Sequence, residues 1–287
     1  MATIHINNDI CIKCGRCARI CPSGIFNQEK RNSTVYLQHP ESCIICGHCV
    51  AVCPTSSITH SDFPPEKIHT IDKTLLPSPE QVMLLCKARR SNRAFSSRQI
   101  PEEYLNQILE AAHRAPTASN LQQIEFTLIT NPDKLHRVTA YTVEMFSRLA
   151  KKLNNPMLKP ILRMIIPNVY QSLPYFHRLK KAYDEGKDPI LRGATGLILI
   201  HSPKESRFGC QDANLAYQNG SLMAESLGVN QFYTGFVCVA IKQDRHNKLA
   251  EELGIKGTIH AGMALGMPDF RFPNYIDKKE IRVTRIE

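Results

Sequence analysis

Cysteine is the residue type whose placement in this chain points most directly to chemistry. Of the 11 cysteines, eight lie between Cys11 and Cys53, and only Cys86, Cys210 and Cys238 lie beyond them. The first residues show no basic segment followed by a long apolar stretch, so the sequence predicts no secretory signal. Crowded thiols in a chain without such a signal indicate metal binding rather than disulfide bonds.

The crowded cysteines form two copies of one spacing pattern. Each copy reads C-x₂-C-x₂-C-x₃-C-P, and each cysteine of the first copy recurs 32 positions later. The first copy consists of Cys11, Cys14, Cys17 and Cys21, and the second consists of Cys43, Cys46, Cys49 and Cys53. The chain therefore contains an internal duplication of a segment whose residue type and spacing are typical of iron–sulfur ligands.

The spacing also predicts which cysteines share a [4Fe–4S] cluster. Three thiolates separated by two residues wrap a short loop around one cubane, whereas the fourth, next to a proline that turns the chain away, reaches the other cluster. Cluster one is predicted to bind Cys11, Cys14, Cys17 and Cys53, and cluster two is predicted to bind Cys43, Cys46, Cys49 and Cys21. Gly15 and Gly47 leave room for backbone N–H groups near the inorganic sulfur, which helps to set the reduction potential.

A pair of zinc sites is the alternative interpretation of these cysteines, because CxxC pairs often bind zinc. Zinc sites rarely use four cysteines in one run followed by proline, and a duplicated run is rarer still. His48 lies within the second loop, but four cysteines already complete the ligand set. We interpret His48 as a neighbour of cluster two that bears on its potential.

Residues 1–60 resemble bacterial two-cluster ferredoxins. The resemblance implies a module that stores and passes one electron at a time. Because cysteine closes every iron site, this module does not catalyse a reaction by itself. Any catalytic chemistry must therefore lie in the rest of the chain.

The chain is long enough for a second domain. It has 287 residues, of which 43% are hydrophobic and 22% charged, which is ordinary for a globular protein of two domains. Residues 61–79 contain four prolines among polar residues and are predicted to be a linker. In residues 80–287 we predict helices near 80–88, 101–115, 133–152, 212–227 and 244–253, and strands near 124–130, 196–201, 231–240 and 258–265. The second domain is therefore predicted to mix helices and strands.

Two short stretches of this domain carry residues suited to a polar cofactor. Arg89, Arg90, Ser91 and Arg93 place three guanidinium groups and a hydroxyl within five residues. This set suits a phosphate, because arginine forms bidentate charge-assisted hydrogen bonds. The segment at 115–122 has small hydroxyl and amide side chains that can bond a ring edge or a ribityl chain. Taken alone, the first stretch also fits a solvated basic face, and the second fits a loop that ends a helix.

Together, about 25 residues apart and in this order, the two stretches resemble the FMN-dependent nitroreductase family. Members of that family carry a basic R-x-S-x-K/R stretch followed by an A-P-S-x-x-N-x-Q stretch. The segment at 212–228 resembles the family's long central helix, and the segment at 233–236 resembles the one whose backbone approaches the flavin N5. The resemblance covers about residues 80–287.

The resemblance implies an α+β fold and an intertwined homodimer with one FMN at each of two sites between the subunits. It assigns the FMN phosphate and ribityl chain to Arg89, Arg90, Ser91 and Arg93, and the border of the isoalloxazine to Thr234 and Gly235. From the partner subunit it expects Pro116, Thr117, Ala118, Ser119 and Asn120. Lys278 or Lys279 is the candidate for a late basic contact, although this chain has Asp-Lys-Lys where the family has Pro-Arg-Lys.

Residues 151–192 form an insertion that is rich in basic and apolar residues. It contains nine Lys and Arg residues against three acidic ones. An apolar stripe with a basic rim could lie on a membrane, but Pro156, Pro160, Pro167 and Pro174 break any long helix. The favoured interpretation is a lid that covers the flavin and shapes the substrate pocket.

The formal net charge of +10 raises the question of nucleic-acid binding. The charges are scattered and no nucleic-acid reader motif is recognisable, so the sequence predicts no such partner. A basic surface also suits cofactor phosphates or an acidic electron carrier. No apolar run approaches the roughly 18 residues needed to span a bilayer, and the protein is expected to be cytoplasmic.

These features predict an oxidoreductase that passes electrons between the two clusters and FMN to reduce a small acceptor. Nitroaromatics, quinones and activated alkenes are candidate acceptors, and NAD(P)H, a ferredoxin or a flavodoxin is the candidate donor. No catalytic side chain is predicted, because the cofactor carries the chemistry. The reverse direction of electron flow stays open, as does a non-enzymatic carrier that relays electrons between protein partners.

Overall fold

The computed structural model describes residues 2–157 and 159–287. Met1 and Leu158 lie outside the described residues, and Leu158 belongs to the predicted lid. Its contacts divide the chain into two units. The first unit comprises the chain up to Pro77 together with Ala118–Gln122, and the second comprises Ser78–Thr117 and Gln123–Glu287. Residues 61–77, which the sequence predicts to be linker, are thus grouped with the first unit.

The first unit consists of short strands and one-turn helices. In chain order these are β1 (Ile4–Ile6), α1 (Arg16–Ile20), β2 (Phe26–Asn27), β3 (Tyr36–Leu37), α2 (His48–Val52) and β4 (Ile58–His60). β1 pairs antiparallel with β4, and β2 pairs antiparallel with β3. A small apolar core lies between them and includes Ile25, Val35 and Ile58. The duplication in the sequence thus appears as a repeated loop followed by a short helix.

The second unit contains longer elements. They are α3 (Pro79–Ala88), α4 (Glu102–His113), β5 (Glu125–Ile129), α5 (Pro132–Leu153), α6 (Lys159–Ile165), α7 (Pro167–Gln171), α8 (Leu173–Asp184), β6 (Gly196–Ser202), α9 (Gly209–Leu227), β7 (Asn230–Tyr233), α10 (Gly235–Gln243), α11 (Lys248–Glu252) and β8 (Thr258–Gly266). Four strands form one antiparallel sheet in the order β5-β6-β8-β7. The prediction of an α+β fold is confirmed.

Two apolar cores cover the two faces of this sheet. Leu197 and Leu199 of β6 pack into the core that contains α5 and α10. Ile198 and Ile200 alternate with them and pack into the core that contains α4 and α9. Because successive side chains of a strand point to opposite faces, every residue of β6 is buried. This three-layer arrangement explains why the strand has an almost continuous apolar sequence.

Local signals set several element ends. Ser78 caps α3, where its hydroxyl accepts a hydrogen bond from the Gln81 backbone N–H at 3.2 Å and the Gln81 side chain accepts one from the Ser78 N–H at 2.8 Å. Pro167 begins α7 and Pro174 is the second residue of α8, and the predicted lid is broken into short helices as expected. Among the described residues, no helix combines the length and the apolar character that crossing a membrane requires.

The prediction of a strand over 231–240 is wrong in its second half. The strand β7 ends at Tyr233, and α10 begins at Gly235. A short apolar run of this kind fits a buried strand or a buried helix, and periodicity does not separate the two. Val237, Ala240 and Ile241 recur at helical spacing and pack into the core on one face of the sheet.

Candidate functional site

Two cavities in the first unit are each lined by four cysteines. One cavity is lined by Cys11, Cys14, Cys17 and Cys53. The other is lined by Cys21, Cys43, Cys46 and Cys49. These are the two sets that the sequence spacing assigns to cluster one and cluster two. Four cysteine sulfurs around one space are the donor set of a [4Fe–4S] cluster, so the residues of both cavities fit this group.

Backbone geometry explains how each fourth cysteine leaves its own loop. Gly15 and Gly47 precede α1 and α2 with φ of +66° and +72°, a conformation that favours glycine. A Cβ at Gly15 would also lie 2.1 Å from Gln28 Oε1. Cys21 and Cys53 follow the two helices in extended backbone, and the proline after each cannot continue a helix. The chain therefore turns away from the loop that it has just formed.

The Cys53 sulfur accepts several hydrogen bonds. The Ser57 backbone N–H donates to it at 3.3 Å, and the hydroxyl oxygens of Ser57 and Thr55 lie 3.2 and 3.8 Å from it. Burial raises the pKa of Cys53, but these hydrogen bonds outweigh it and lower the pKa to about 7. For Cys49, burial dominates and raises the pKa to about 11. Cys53 is therefore the thiol whose surroundings favour the thiolate that a metal requires.

The Cys43 sulfur has a different set of neighbours. The Ile45 backbone N–H donates to it at 3.4 Å, and His60 Nε2 lies 3.6 Å from it. His60 is buried and lines the cavity of cluster two. His48 also lines that cavity but is exposed. His48 is recognisable in the sequence as a neighbour of cluster two, whereas His60 is not.

One sequence signal could have pointed to these polar neighbours. In the first copy, Ile25 follows Cys21 by four residues, whereas in the second copy Ile58 follows Cys53 by five. The additional residue places Ser57 next to the Cys53 sulfur. His60 carries no comparable signal, because it reaches Cys43 only through the pairing of β4 with β1.

The second unit contains a pocket of about 630 Å³. This volume lies within the range of roughly 300–1,000 Å³ that small-molecule sites occupy. Its lining consists of Arg93, Phe146, Ser172, Tyr175, Phe176, Pro189, Ile190, Arg192, Phe232, Tyr233, Thr234, Gly235, Phe236 and Val239. Of the residues predicted to contact FMN, this lining contains Arg93, Thr234 and Gly235. Six of the lining residues belong to the predicted lid at 151–192.

The arginine-rich segment, defined as Arg89–Arg93, lies alongside β7. Ser91 forms a parallel bridge with Gln231. The Asn92 backbone N–H donates to the Gln231 carbonyl at 3.1 Å, and the Gln231 side chain donates to the Arg90 carbonyl at 3.3 Å. Because β7 leads directly to Thr234, this pairing connects the arginine-rich segment to the pocket.

Asn92 is a structural residue that the sequence analysis missed. It is 6% exposed, and its side-chain amide donates to the Phe270 carbonyl at 2.9 Å while its Oδ1 accepts from the Ala94 N–H at 3.0 Å. The buried amide therefore fixes the backbone between its arginine neighbours. The Arg93 guanidinium lies 5.1 Å from the centre of the Phe232 ring, at the pocket.

Two titratable groups lie near the arginine-rich segment. Burial raises the pKa of Tyr217 to about 12, although Arg89 and Arg93 oppose this shift. The Tyr217 hydroxyl donates to Gln231 Oε1 at 2.7 Å. Burial also raises the pKa of Glu225, and the positive charge of Arg271 is the largest effect that opposes this rise. Positive charge of the arginines therefore reaches groups on α9 as well as the pocket.

The segment predicted to contact FMN from the partner subunit is divided between the units. Pro116 and Thr117 belong to the second unit, and Ala118, Ser119 and Asn120 belong to the first. Within the first unit, the Asn120 amide donates to the carbonyls of Ile44 and Ile45 at 3.2 and 2.8 Å. None of these predicted residues lines the pocket of the second unit, and their contact with FMN stays a prediction.

The candidates for the late basic contact lie near the C-terminus. Lys278 and Lys279 are exposed, in a stretch at 271–287 that contains no helix or strand. They do not belong to the pocket lining described above. Their predicted contact with the FMN phosphate stays a prediction.

A model described as the nitroreductase family matches residues 86–267, and a model described as a 4Fe-4S dicluster domain matches residues 10–57. The curated "Putative NADH dehydrogenase/NAD(P)H nitroreductase" of Archaeoglobus fulgidus is 25% identical over 195 residues, which cover 66% of this chain and 86% of that protein.

Solved structures resemble this chain in fold over most of its length. A Bacteroides fragilis nitroreductase with bound FMN has a TM-score of 0.53 at 21% identity, covering 72% of this chain and 99% of that one. A Desulfitobacterium hafniense nitroreductase with bound FMN has a TM-score of 0.54 at 19% identity, covering 71% and 97%.

Since the family model spans more than half of the sequence, the chain belongs to the nitroreductase family. It carries a 4Fe–4S ferredoxin-type domain at its N-terminus. The predictions of a nitroreductase-like oxidoreductase and of an N-terminal ferredoxin-type domain are therefore confirmed.

Proposed function

We propose that this chain is an iron–sulfur flavoprotein that passes electrons between two [4Fe–4S] clusters and FMN to reduce a small acceptor. The observation that carries the proposal is the presence, in one chain, of two cavities each lined by four cysteines and a separate pocket with Arg93, Thr234 and Gly235 in its lining. The clusters would supply one-electron transfer, and FMN would supply two-electron chemistry.

The first unit holds the two clusters in this proposal. Cluster one takes Cys11, Cys14, Cys17 and Cys53, and cluster two takes Cys21, Cys43, Cys46 and Cys49. N–H groups of Ser57 and Ile45 donate to cysteine sulfur in the two sets and orient the ligands. The match of residues 10–57 to a 4Fe-4S dicluster domain supports the proposal of two clusters.

The second unit holds FMN in this proposal. The residues proposed for the phosphate and ribityl chain are Arg89, Arg90, Ser91 and Arg93, with Lys278 or Lys279 as a late basic contact. Thr234 precedes α10 and donates its own backbone N–H to the Gly262 carbonyl at 2.9 Å, whereas Gly235 begins the helix, where the first backbone N–H groups lack helical partners and can donate to a ring carbonyl. A homodimer would bring Pro116, Thr117, Ala118, Ser119 and Asn120 of the partner subunit to the same flavin. The bound FMN of the Bacteroides fragilis and Desulfitobacterium hafniense structures supports this assignment.

Aromatic side chains favour a flat acceptor. The Tyr175 and Phe236 rings stack with centroids 5.3 Å apart, and the edge of Phe146 meets Phe236 at 5.6 Å. Such rings offer faces for a planar ligand and few groups that donate or accept protons. We therefore propose a nitroaromatic or a quinone as the acceptor, with an activated alkene as the third candidate. NAD(P)H, a ferredoxin or a flavodoxin is the proposed donor, and the name of the Archaeoglobus fulgidus relative supports the first.

Cofactor content of the full chain, purified without oxygen, tests the proposal. Two clusters of four irons and one FMN per chain predict about eight irons, eight acid-labile sulfides and one flavin. Iron without flavin would contradict the proposed binding of FMN, and zinc in place of iron would contradict the proposed iron–sulfur clusters.

Turnover separates the enzyme from the electron carrier. With dithionite or reduced ferredoxin as the donor, we expect catalytic reduction of a nitroaromatic. Fast oxidation of the reduced protein by an electron-carrier protein, with no turnover of any small molecule, would contradict the enzymatic function.

A further inference from the structure

His60 lies against a cysteine of cluster two. It ends β4, where it pairs with Ile4 of β1, and it is 4% exposed. Its Nε2 atom lies 3.6 Å from Cys43 Sγ, within hydrogen-bond reach of sulfur. The ring also contacts Phe63, with centroids 4.8 Å apart. Strand pairing, burial and this ring contact together hold the imidazole in one orientation.

The other ring nitrogen determines which atom carries the proton. The Asp62 backbone N–H donates to His60 Nδ1 at 3.1 Å, which makes Nδ1 an acceptor, and the Asp62 carboxylate lies farther from this atom, with Oδ2 at 3.6 Å. A neutral imidazole has one donor and one acceptor nitrogen, and the proton therefore lies on Nε2. Nε2–H is the atom that faces the Cys43 sulfur.

The duplication provides an internal comparison. When the two copies are aligned at Ile25 and Ile58, Asn27 corresponds to His60. The Asn27 amide donates to the Tyr36 hydroxyl at 2.7 Å and to Gln38 Oε1 at 3.2 Å rather than to a cysteine. The lining of the cluster-one cavity includes no histidine. The imidazole contact therefore distinguishes the second copy from the first.

We propose that His60 is a positioning residue that donates a hydrogen bond to the Cys43 thiolate and raises the reduction potential of cluster two. Reduction adds negative charge that the ligand sulfurs share, and a donor to sulfur stabilises the more negative state. This inference rests on the proposed binding of cluster two by Cys21, Cys43, Cys46 and Cys49. It goes beyond that proposal because one side chain makes the reduction potentials of the two clusters differ.

Redox titration of the full chain, followed by electron paramagnetic resonance without oxygen, tests the inference. A net hydrogen bond of about 0.5–1.5 kcal/mol corresponds to a change of about 2- to 10-fold in an equilibrium constant. His60→Leu removes the donor, so we expect the equilibrium constant for reduction of one cluster to fall about 2- to 10-fold while the other cluster is unchanged. His60→Gln retains an N–H donor and is expected to restore most of the difference.

His39→Gln is the matched control, because His39 is an exposed histidine of the first unit that lines neither cluster cavity. It is expected to leave both potentials unchanged. An unchanged titration of His60→Leu with a full content of iron would overturn the inference. Fewer than two clusters in the unaltered protein would instead contradict the proposed function, so the two failures are distinguishable.

A measurement on protein with its native His60 covers the case in which both His60 variants lose iron. With ¹⁵N-labelled histidine, the reduced protein should show hyperfine coupling from a ring nitrogen to one cluster. The coupling should persist in His48→Gln, which leaves His60 as its source. Absence of any such coupling in His48→Gln would overturn the inference.

Discussion

The two units of this chain hold their sites by different means. In the first unit, all eight cysteines come from residues 11–53, and the apolar core beside them is small. In the second unit, the pocket is lined by residues far apart in sequence, such as Arg93, Tyr175 and Thr234, which stand next to a three-layer core. Because its apolar core is small, we expect the first unit to depend on metal binding for its fold more than the second unit depends on its cofactor.

Removal of iron tests this difference with the largest expected effect. A small unit with few buried apolar residues gains much of its folding free energy from metal binding. We expect iron-free protein to lose the protease resistance of residues 2–77, while the second unit retains its own. Limited proteolysis with mass spectrometry locates the cuts, and reconstitution with iron and sulfide is the control. Equal resistance of residues 2–77 with and without iron would contradict the comparison.

Loss of one guanidinium in the pocket should weaken flavin binding and leave the clusters intact. A hydrogen bond to a charged group contributes about 1.5–3 kcal/mol, so Arg93→Gln should raise the Kd for FMN about 10- to 100-fold. Fluorescence titration of flavin-free protein measures this Kd, and iron content should stay the same. Arg245→Gln changes an exposed arginine outside the pocket lining and is the control. Equal Kd values for the two variants would show that Arg93 does not contribute to FMN binding.

Asp244 should stabilise the second unit and have no effect on the first. Its carboxylate accepts hydrogen bonds from the Tyr141 hydroxyl at 2.9 Å and from the His246 and Lys248 N–H groups at 3.0 and 2.9 Å. Asp244→Ala should lower the free energy of unfolding of this unit by about 1–3 kcal/mol at pH 7. Tyr141→Phe removes one donor and should cost about 0.5–1.5 kcal/mol. Urea unfolding measures both, and an equal loss of cluster stability would contradict the independence of the units.

The Asp244 effect should also depend on pH. Burial raises the pKa of this carboxyl, but the hydrogen bonds lower it further, so the net shift is downward. A lowered pKa in the folded state gives stability that is present above the usual value of about 4 and is lost as pH falls through the lowered value. The difference in stability between the unaltered protein and Asp244→Ala should therefore shrink below about pH 4. A difference that stays constant down to pH 2 would contradict this assignment.

The smallest effect is expected at an exposed ion pair of the second unit. Arg137 donates to both oxygens of Glu252, at 2.7 and 2.6 Å, and both side chains are more than a third exposed. Exposed pairs contribute about 0.2–1 kcal/mol and are screened by salt. Arg137→Ala should thus lower stability by less than about 1 kcal/mol, and less at high salt. A larger loss in urea unfolding would show that the unit relies on its surface more than on its core.

Much of the first unit's site could be predicted from the sequence. The grouping of cysteines into two sets follows from local spacing, and the two cavities contain the same sets. His60 could not be predicted, because its approach to Cys43 depends on the register between β1 and β4 rather than on sequence distance. Residues that arrive by long-range pairing leave no periodic signal in one sequence.

The second unit was predictable to a smaller extent. Its α+β class followed from the family resemblance, and α3, α4, α5 and α9 followed from the sequence pattern, whereas α6, α7 and α8 were not predicted. The residues of the pocket come from β7, α8 and the arginine-rich segment, and only their packing brings them together. The run that includes Phe236 and Val237 was predicted as strand because short apolar segments fit either structure. Asn92 was missed because a buried asparagine looks like any polar loop residue in the sequence.

Reductive titration of the full chain without oxygen tests the central claim most directly. If two clusters and one FMN exchange electrons, dithionite should deliver about four electron equivalents per chain, two to the clusters and two to the flavin. Addition of a nitroaromatic should then reoxidise both kinds of centre together. A flavin that reoxidises while the clusters stay reduced would contradict the account, because it would show that the two units do not share electrons.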